Sequence, residues 1–306
     1  VGLCCQKVSE AEAMMPSGVL DLLVSNHVVG ADKLARLCAL AATARVTTLT
    51  ADLRHVAQLA AAASRHRVEI EVLVEIDAGD ARMGLSLDDL LPVARAVAAA
   101  PGLKLRGLQA YCGPFQHLRE AGERAAAAGE VARRAARAKA LLAAEGLACT
   151  LITGGGTGTF QDDGALGVLT EIQPGSYVFM DGDYARNRDR AGGPYRPFAQ
   201  SLFVLTGVMR SPADGIAYVD AGVKALNLDC GMPTVHDRAD LAFTKASDEQ
   251  GRIETLTGGR ALDLGEKLLL VPSHCDPTVA LFDEMVAVRA GRVEAVWPIA
   301  GRGCLA

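Results

Sequence analysis

Three residues near the end of the chain, His274, Cys275 and Asp276, have side chains that can bind a metal ion, and they follow the apolar run "LLLVPS". If the segment is extended, alternate side chains point the same way, so His274 and Asp276 would share a face and Cys275 would point away. Imidazole and carboxylate together suit Mn²⁺, Mg²⁺ or Zn²⁺, with positions left for water or substrate. The same residues could instead form a polar turn after a buried strand.

A glycine- and threonine-rich segment, "TGGGTGTF" from Thr153 to Phe160, follows another apolar run. Glycines let successive backbone N–H groups converge on an anion, and threonine hydroxyls add donors. The segment lacks the Lys-Ser/Thr of a nucleotide P-loop and the GxGxxG spacing before a long helix, which favours a phosphate monoester over a dinucleotide. "QPGSY", from Gln173 to Tyr177, offers a second turn of this kind. A plain turn is the alternative interpretation.

Two further side chains follow predicted strands. Arg82 lies in "EIDAGDARMG" and Tyr111 ends "LQAY". An arginine at a strand end can orient an aromatic ring or a carboxylate in a cleft, whereas its alternative role is a surface ion pair. For Tyr111 the alternative is a core position.

The elements that must position these residues alternate between short apolar runs and amphipathic runs over the first two thirds of the chain. This alternation predicts right-handed βαβ units and a parallel sheet of seven strands, the last of which is "EIQPGSYVFM". Ser86 is predicted to cap the helix that follows the fourth strand. Because polar or glycine-rich segments recur after the strand ends, we predict a (β/α)8 barrel with its first strand missing rather than a doubly wound sheet. From about Pro197 the pattern changes to strands joined by tight turns such as "SPADG", which indicates an antiparallel β domain. Its predicted strands are "SLFVLTGVMRS", "GIAYVDAGVKAL", "GRIETLTG", "EKLLLVPSH" and "EMVAVRAGRVEAVWPI". We therefore predict a barrel domain over 1–190 and a β domain over 191–306.

Composition restricts the function. The net charge of −5 does not favour a nucleic-acid surface, and no apolar run is long enough to span a bilayer. The N-terminal residues do not resemble a secretory signal. The eight cysteines are scattered without paired metal-binding spacing, which indicates free thiols and a cytoplasmic protein.

Several stretches together resemble the D-threonine aldolase group of fold-type III pyridoxal-phosphate (PLP) enzymes. That group also includes D-threo-3-hydroxyaspartate dehydratases, β-hydroxyaspartate aldolases and D-serine dehydratases. The similar stretches occur in order from residue 2 to residue 303: "GLCCQKVSEAEAM", "VEIDAGDARMGL", "GLQAYCG", "TGGGTGTF", "QPGSYVFMDGDY", "DAGVKAL", "LVPSHCDPT" and "VWPIAGRG". The resemblance implies an alanine-racemase-type barrel followed by a β domain, with PLP and a divalent metal ion (Mn²⁺, Mg²⁺ or Zn²⁺) as cofactors.

The resemblance also implies the roles of individual residues. His274 and Asp276 are expected to bind the metal. An aspartate at 276 is similar to the aldolases and hydroxyaspartate enzymes, whereas D-serine dehydratases tend to have cysteine there. The residues expected to contact PLP are Arg82, Tyr111, Gly155, Gly156, Thr157, Gly158, Gly175, Ser176 and Tyr177.

One expected residue has no match. The family's Schiff-base lysine lies on the first barrel strand, in a motif that this sequence lacks, and neither Lys7 nor Lys224 lies in a matching segment. No catalytic residue is therefore assigned. The expectation is that the chain is part of a longer protein whose first strand carries the lysine; an inactive relative is the alternative.

The resemblance implies a lyase that acts on D-3-hydroxy amino acids. Retro-aldol cleavage to glycine and an aldehyde is the preferred expectation. Dehydration or ammonia loss from D-threo-3-hydroxyaspartate or D-serine-like substrates is the alternative, and a non-catalytic PLP-binding protein is the second. A homodimer is expected, with neither nucleic acid nor membrane as partner.

Overall fold

The structure is a computed structural model that describes residues 2–212, 215–256 and 260–306. Its internal contacts divide the chain into two units. The first contains Val1–Leu118, Gly122–Pro174 and Gly303–Ala306, and the second contains Arg119–Ala121 and Gly175–Arg302. The predicted turn "SPADG" and the end of the predicted strand "GRIETLTG" lie partly outside the described residues.

The first unit contains a parallel sheet of seven strands: β1 (Leu3–Cys5), β2 (Asp21–Val24), β3 (Arg45–Thr50), β4 (Ile70–Glu75), β5 (Leu103–Ala110), β6 (Leu151–Gly154) and β7 (Glu171–Ile172). Each strand pairs with the next one along the chain, so β1 and β7 are the edges of the sheet. A doubly wound sheet would reverse its strand order at a switch point. The prediction of a parallel arrangement of the barrel type is therefore confirmed.

The helices that connect these strands are α1 (Val8–Met14), α2 (Ala31–Ala41), α3 (Leu53–His66), α4 (Leu87–Ala99), α5 (Ala121–Ala144) and α6 (Phe160–Leu166). Short 3-10 helices span Met15–Ser17 and Pro114–His117. Two helices begin at side-chain caps, because Asp52 accepts a hydrogen bond from the Arg54 N–H and Ser86 accepts one from the Asp89 N–H. These caps fix where α3 and α4 leave the sheet.

The two faces of this sheet pack differently. Leu22 and Val24 of β2 belong to the large apolar core that also contains helix residues, whereas Leu23 lies in a separate cluster with Leu49, Leu73 and Leu151. Side chains of a strand alternate between the faces of its sheet, so the four leucines pack on the face opposite to the helices. Leucines on the inner face of a curved parallel sheet are typical of a packed barrel interior.

The second unit contains the strands β8 (Val204–Arg210), β9 (Ile216–Val219), β10 (Thr234–Val235), β11 (Leu241–Ala246), β12 (Gly251–Thr255), β13 (Lys267–Val271), β14 (Glu284–Arg289) and β15 (Arg292–Pro298). Six form a sheet in the order β10-β13-β8-β9-β12-β11, and β14 and β15 form a separate hairpin. Every pairing among them is antiparallel, which confirms the predicted β domain. Two short helices, α7 (Gly182–Ala185) and α8 (Cys275–Val279), complete the unit.

The predicted last strand of the barrel, "EIQPGSYVFM", is wrong in its extent. Only Glu171–Ile172 is extended, and Ser176–Val178 forms a 3-10 helix that belongs to the second unit. Pro174 has no N–H to donate to a neighbouring strand, so the ladder ends before it. Across the described ranges, no helix combines the length and apolar character that crossing a membrane requires.

Candidate functional site

The predicted residues of the first unit follow the C-terminal ends of three neighbouring strands. Arg82 comes after β4, Tyr111 directly after β5, and the loop Gly155–Gly158 directly after β6. Because parallel strands end at the same edge of a sheet, this arrangement puts the side chains and the loop at one edge.

Arg82 and Tyr111 contact each other. The Arg82 guanidinium lies over the Tyr111 ring, 5.6 Å from its centroid, and its Nη2 is 3.4 Å from Oε1 of Glu75. The buried Glu75 carboxylate also contacts Nε2 of His27 at 2.8 Å. Glu75 thus holds the guanidinium from one side while the ring supports it from another, which limits the directions in which the half-exposed arginine can point.

The loop after β6 packs so closely on its neighbours that glycine is required. Gly155 has φ +63°, and a Cβ there would lie 2.2 Å from Oδ2 of Asp163. At Gly158, a Cβ would lie 2.1 Å from the backbone oxygen of Gln116. All four residues of the loop, Gly155 to Gly158, are buried. The two glycines let the backbone pack directly against Asp163 and Gln116.

Two polar side chains behind the loop, those of Gln116 and Asp163, accept hydrogen bonds from the loop and from Thr159. Oε1 of Gln116 accepts hydrogen bonds from the N–H groups of Gly158 and Thr159, at 3.0 and 3.2 Å. Asp163 is buried, which raises the pKa of its carboxyl although Thr159 donates a hydrogen bond to it. The Gly158 N–H donates to Gln116 and is therefore not a donor for the outer surface of the loop. Gly158 instead determines the shape of the loop.

In the second unit, Gly175, Ser176 and Tyr177 lie at the start of the 3-10 helix instead of on a strand. The Tyr177 ring packs against Phe198 with centroids 5.4 Å apart. Ser176 is buried, and its Oγ lies 3.5 Å from Oδ1 of Asp276. A serine predicted to contact a phosphate thus also contacts a predicted metal ligand.

His274 and Asp276 face each other, with Nε2 and Oδ2 separated by 3.9 Å. The segment is not extended, because His274 is the N-cap of α8 and Asp276 lies in its first turn. Pro277 is tolerated there, since the first turn needs no N–H donors. Cys275 does not point away from Asp276: its Sγ lies 3.1 Å from Oδ1 of Asp276. An imidazole nitrogen and a carboxylate oxygen at this separation fit a shared divalent ion.

The position of this pair depends on Asp181, which is fully buried. Its Oδ1 accepts hydrogen bonds from the N–H groups of Asp183 and Tyr184, at 3.1 and 3.0 Å, and so caps α7. Its Oδ2 accepts the Cys275 N–H at 3.0 Å. One carboxylate therefore fixes the start of α7 and the start of α8 together.

Sequence reasoning missed Glu75, Gln116 and Asp181. Asp181 had a detectable signal, because an aspartate before "GDY" is a typical helix N-cap. Gln116 and Glu75 carry no local signal, because their partners at Gly158 and His27 are 42 and 48 residues away.

Two family profiles match the chain. The profile described as "Alanine racemase, N-terminal domain" matches residues 1–183, and the one described as "Putative serine dehydratase domain" matches residues 201–288. The first covers more than half of the chain and lies almost wholly in the parallel β/α part.

Characterised proteins match over nearly the whole chain. A D-threonine aldolase of Arthrobacter sp. is 45% identical over 303 residues, which are 99% of this chain and 79% of that protein. A 3-hydroxy-D-aspartate aldolase of Paracoccus denitrificans (strain Pd 1222) is 43% identical over 307 residues, which are 99% of this chain and 79% of that protein.

Solved structures agree with these matches. The crystal structure of D-threonine aldolase from Filomicrobium marinum superposes with a TM-score of 0.95 at 44% identity, over 100% of this chain and 83% of that one. A variant of a D-threo-3-hydroxyaspartate dehydratase solved in a metal-free form superposes with a TM-score of 0.84 at 27% identity, over 97% and 83%.

Proposed function

The chain belongs to the D-threonine aldolase and D-threo-3-hydroxyaspartate dehydratase family of alanine-racemase-like fold, and from this premise we propose that it is a lyase that depends on PLP and a divalent metal ion. Its substrates are D-3-hydroxy amino acids, which it cleaves by a retro-aldol reaction to glycine and an aldehyde. The observation that carries this proposal is the identity of 45% and 43% to two aldolases over 99% of the chain.

When bound, PLP supplies an electron sink for the bond that breaks at the substrate Cα, and the metal ion supplies a Lewis acid for the β-hydroxyl. Gly155, Gly156, Thr157 and Gly158 form the phosphate-binding loop in this proposal. Its support is the position of this glycine-rich loop directly after β6, beside the strands that Arg82 and Tyr111 follow, and the requirement for glycine at Gly155 and Gly158.

Arg82 and Tyr111 orient the cofactor ring in this proposal. The guanidinium is restrained by Glu75 at 3.4 Å and by the Tyr111 ring at 5.6 Å. A positive group held in one orientation is a better partner for a phenolate or carboxylate than a mobile side chain, because less conformational entropy is lost on binding.

His274 Nε2 and Asp276 Oδ2 are the metal ligands in this proposal. The carboxylate of Asp276 is 68% exposed, so solvent and substrate can reach the ion's remaining coordination positions. Gly175, Ser176 and Tyr177 are also proposed to bind the cofactor. The lysine expected upstream from the resemblance stays a prediction.

Dehydration is the second candidate function. The match of residues 201–288 to the serine dehydratase profile and the 28% identity to a D-threo-3-hydroxyaspartate dehydratase of Delftia sp. (strain HT23) favour it. Aspartate at position 276 argues against a D-serine dehydratase, because the resemblance associates cysteine there with that activity and aspartate with the aldolases and hydroxyaspartate enzymes.

The two reactions leave different products. The full-length protein should be incubated with D-threonine and with D-threo-3-hydroxyaspartate, and glycine and ammonia should both be measured. Glycine without ammonia is expected. Ammonia without glycine would replace the aldolase with a dehydratase, and neither product from either substrate would favour a non-catalytic PLP-binding protein.

The metal requirement has its own test. Dialysis against EDTA should abolish turnover, and added Mn²⁺ should restore it. His274→Ala should lose turnover while the visible absorbance of bound PLP is kept, because His274 is assigned to the metal alone. Activity that is indifferent to the chelator would remove the metal from the proposal.

We also propose that the protein is a cytoplasmic homodimer. On the β14–β15 hairpin, Val286 pairs with Val296 and Val288 with Val293, and all four valines are more than half exposed on one face. An exposed apolar face of this kind is typical of an interface between subunits. All eight cysteines are free thiols, as expected in a reducing compartment. Light scattering during size-exclusion chromatography tests the dimer.

A further inference from the structure

His274 has two ring nitrogens, and each faces a different carboxylate of the second unit. Nε2 faces Asp276, whereas Nδ1 lies 2.8 Å from Oδ2 of Asp229. We propose that Asp229 is a positioning residue that fixes the tautomer and the orientation of the His274 ring, so that Nε2 presents its lone pair to a divalent cation. This inference rests on the proposed metal site and deepens it.

The tautomer follows from the chemistry of the partner. An ionised carboxylate only accepts hydrogen bonds, so the nitrogen that contacts Asp229 must carry the proton. In a neutral imidazole the other nitrogen then has the free lone pair. The contact at Nδ1 therefore makes Nε2 the nitrogen that can bind a cation, and Nε2 is the one that lies 3.9 Å from Asp276.

The orientation of Asp229 is itself fixed, although it lies 45 residues before His274. The Asp229 N–H donates to Oδ1 of Asn227 at 2.9 Å, and the Asn227 N–H donates to Oγ1 of Thr278 at 3.2 Å. Thr278 in turn donates its hydroxyl to the backbone oxygen of His274 at 2.7 Å. This chain of hydrogen bonds joins the Asp229 loop to the same helix that His274 caps, so the two side chains are placed relative to each other.

An alternative metal site would consist of Asp229, Cys230 and His274 as the three ligands of one cation. Their ligand atoms all lie within 4.8 Å of one another. In that arrangement Nδ1 would be the metal-binding nitrogen, and Asp276 would not be needed. The hard oxygen-preferring ions Mn²⁺ and Mg²⁺ gain little from a sulfur ligand, which favours the pair on Nε2.

The experiment is a calorimetric titration of the full-length protein with Mn²⁺ alone, which needs no substrate turnover. Asp229→Ala is expected to raise the Kd for Mn²⁺ by about 10- to 100-fold, the usual effect of removing such a partner. Asp229→Asn should raise it less, because the amide oxygen still accepts the Nδ1 proton without supplying a charge. Cys230→Ser should bind Mn²⁺ as the unmodified protein does.

Asp237→Asn is the matched control, because Asp237 is another exposed aspartate of the second unit beside a histidine, with Oδ2 3.2 Å from Nε2 of His236. It should leave the Kd unchanged. Thermal unfolding of each variant checks the fold; Asp229 is half exposed, so its replacement should not move the transition.

The proposed metal site and the proposed positioning role of Asp229 can be contradicted separately. If the unmodified protein does not bind Mn²⁺, or if His274→Ala binds it equally well, the metal site itself is wrong. If His274→Ala loses binding and Asp229→Ala does not, only the positioning role of Asp229 is overturned. A loss of affinity in Cys230→Ser would also overturn it, in favour of the three-residue cluster.

Discussion

The carboxylate of Asp181 accepts a hydrogen bond from the backbone N–H of Cys275 at 3.0 Å, across 94 residues of sequence. This contact sets the start of the helix that carries Asp276. It also means that the site of the second unit depends on a residue that itself contacts neither cofactor nor metal in our proposal.

Asp181→Ala should destabilise the protein. The substitution leaves the N–H groups of Tyr184 and Cys275 without their acceptor, whereas the Asp183 N–H still donates to the backbone oxygen of Ser273 at 3.0 Å. One lost cap plus one buried unsatisfied donor costs about 3 kcal/mol in free energy of unfolding. Urea unfolding followed by circular dichroism measures the change.

Asp189→Ala is the control for this substitution. Asp189 accepts the N–H groups of Ala191 and Gly193 in an exposed loop, at 2.9 and 2.8 Å, where water can replace it. Its loss should cost about 1 kcal/mol or less. Equal effects of the two substitutions would contradict the role assigned to Asp181.

Arg82→Met should impair function far more than stability. The guanidinium is 52% exposed, and ion pairs of this kind contribute about 0–1 kcal/mol, so the free energy of unfolding should barely change. A hydrogen bond to a charged group is worth about 1.5–3 kcal/mol, so kcat/KM should fall roughly 10- to 100-fold. Arg95→Met, at an exposed arginine paired with Glu145 at 2.7 Å, should alter neither quantity. Unchanged kcat/KM in Arg82→Met would refute the assigned role.

Thr157→Val should weaken PLP binding. The valine keeps the shape of the buried side chain but removes its hydroxyl, and a lost hydrogen bond to an anion corresponds to an increase in Kd of roughly tenfold or more. The visible absorbance of the bound cofactor during titration gives the Kd. Thr150→Val, outside the loop and before β6, is the control and should leave the Kd unchanged. A normal Kd in Thr157→Val would place the phosphate elsewhere.

Stability should fall as the pH decreases from 7 to 5, in part because of His55. Burial lowers the pKa of this imidazole, whose Nε2 lies 2.8 Å from the backbone oxygen of Val28. A lowered pKa in the folded state means that the unfolded chain binds the proton more tightly, so stability is present above about pH 6.5 and is lost as the pH falls through the folded pKa.

The contribution of His55 can be isolated by substitution. His55→Gln should reduce the dependence of the free energy of unfolding on pH between 7 and 5, whereas His66→Gln should not, because His66 is exposed at the end of α3. Identical pH profiles for the unmodified protein and His55→Gln would exclude His55 as the titrating group.

The sequence predicted the fold class because the signals of the parallel part are local. Each of the seven predicted strands has a counterpart, and Ser86 caps α4. The failures have physical causes. Pro174 ends β7 early, and β11 was missed although Leu241 and Phe243 alternate with less buried residues.

The site was predicted less completely than the fold. Residue types and spacing suggested His274 and Asp276 as a metal-binding pair, and the resemblance supplied their roles. The helical conformation of the segment was not predicted, because an N-cap and a proline at the start of a helix resemble an extended run in sequence. Asp229 and Glu75 were not predicted, because their contacts with His274 and His27 join residues 45 and 48 positions apart. Pairings of this range follow from tertiary packing and not from local pattern.

The open position of Asp276 has a consequence for how the protein would acquire its ion. With 68% of this side chain in contact with solvent and the His274 imidazole opposite it, this pair by itself forms no rigid cage that selects by ionic radius. Occupancy would then follow the supply of free ions in the surroundings, and batches purified from media of different trace-element content would carry different metals.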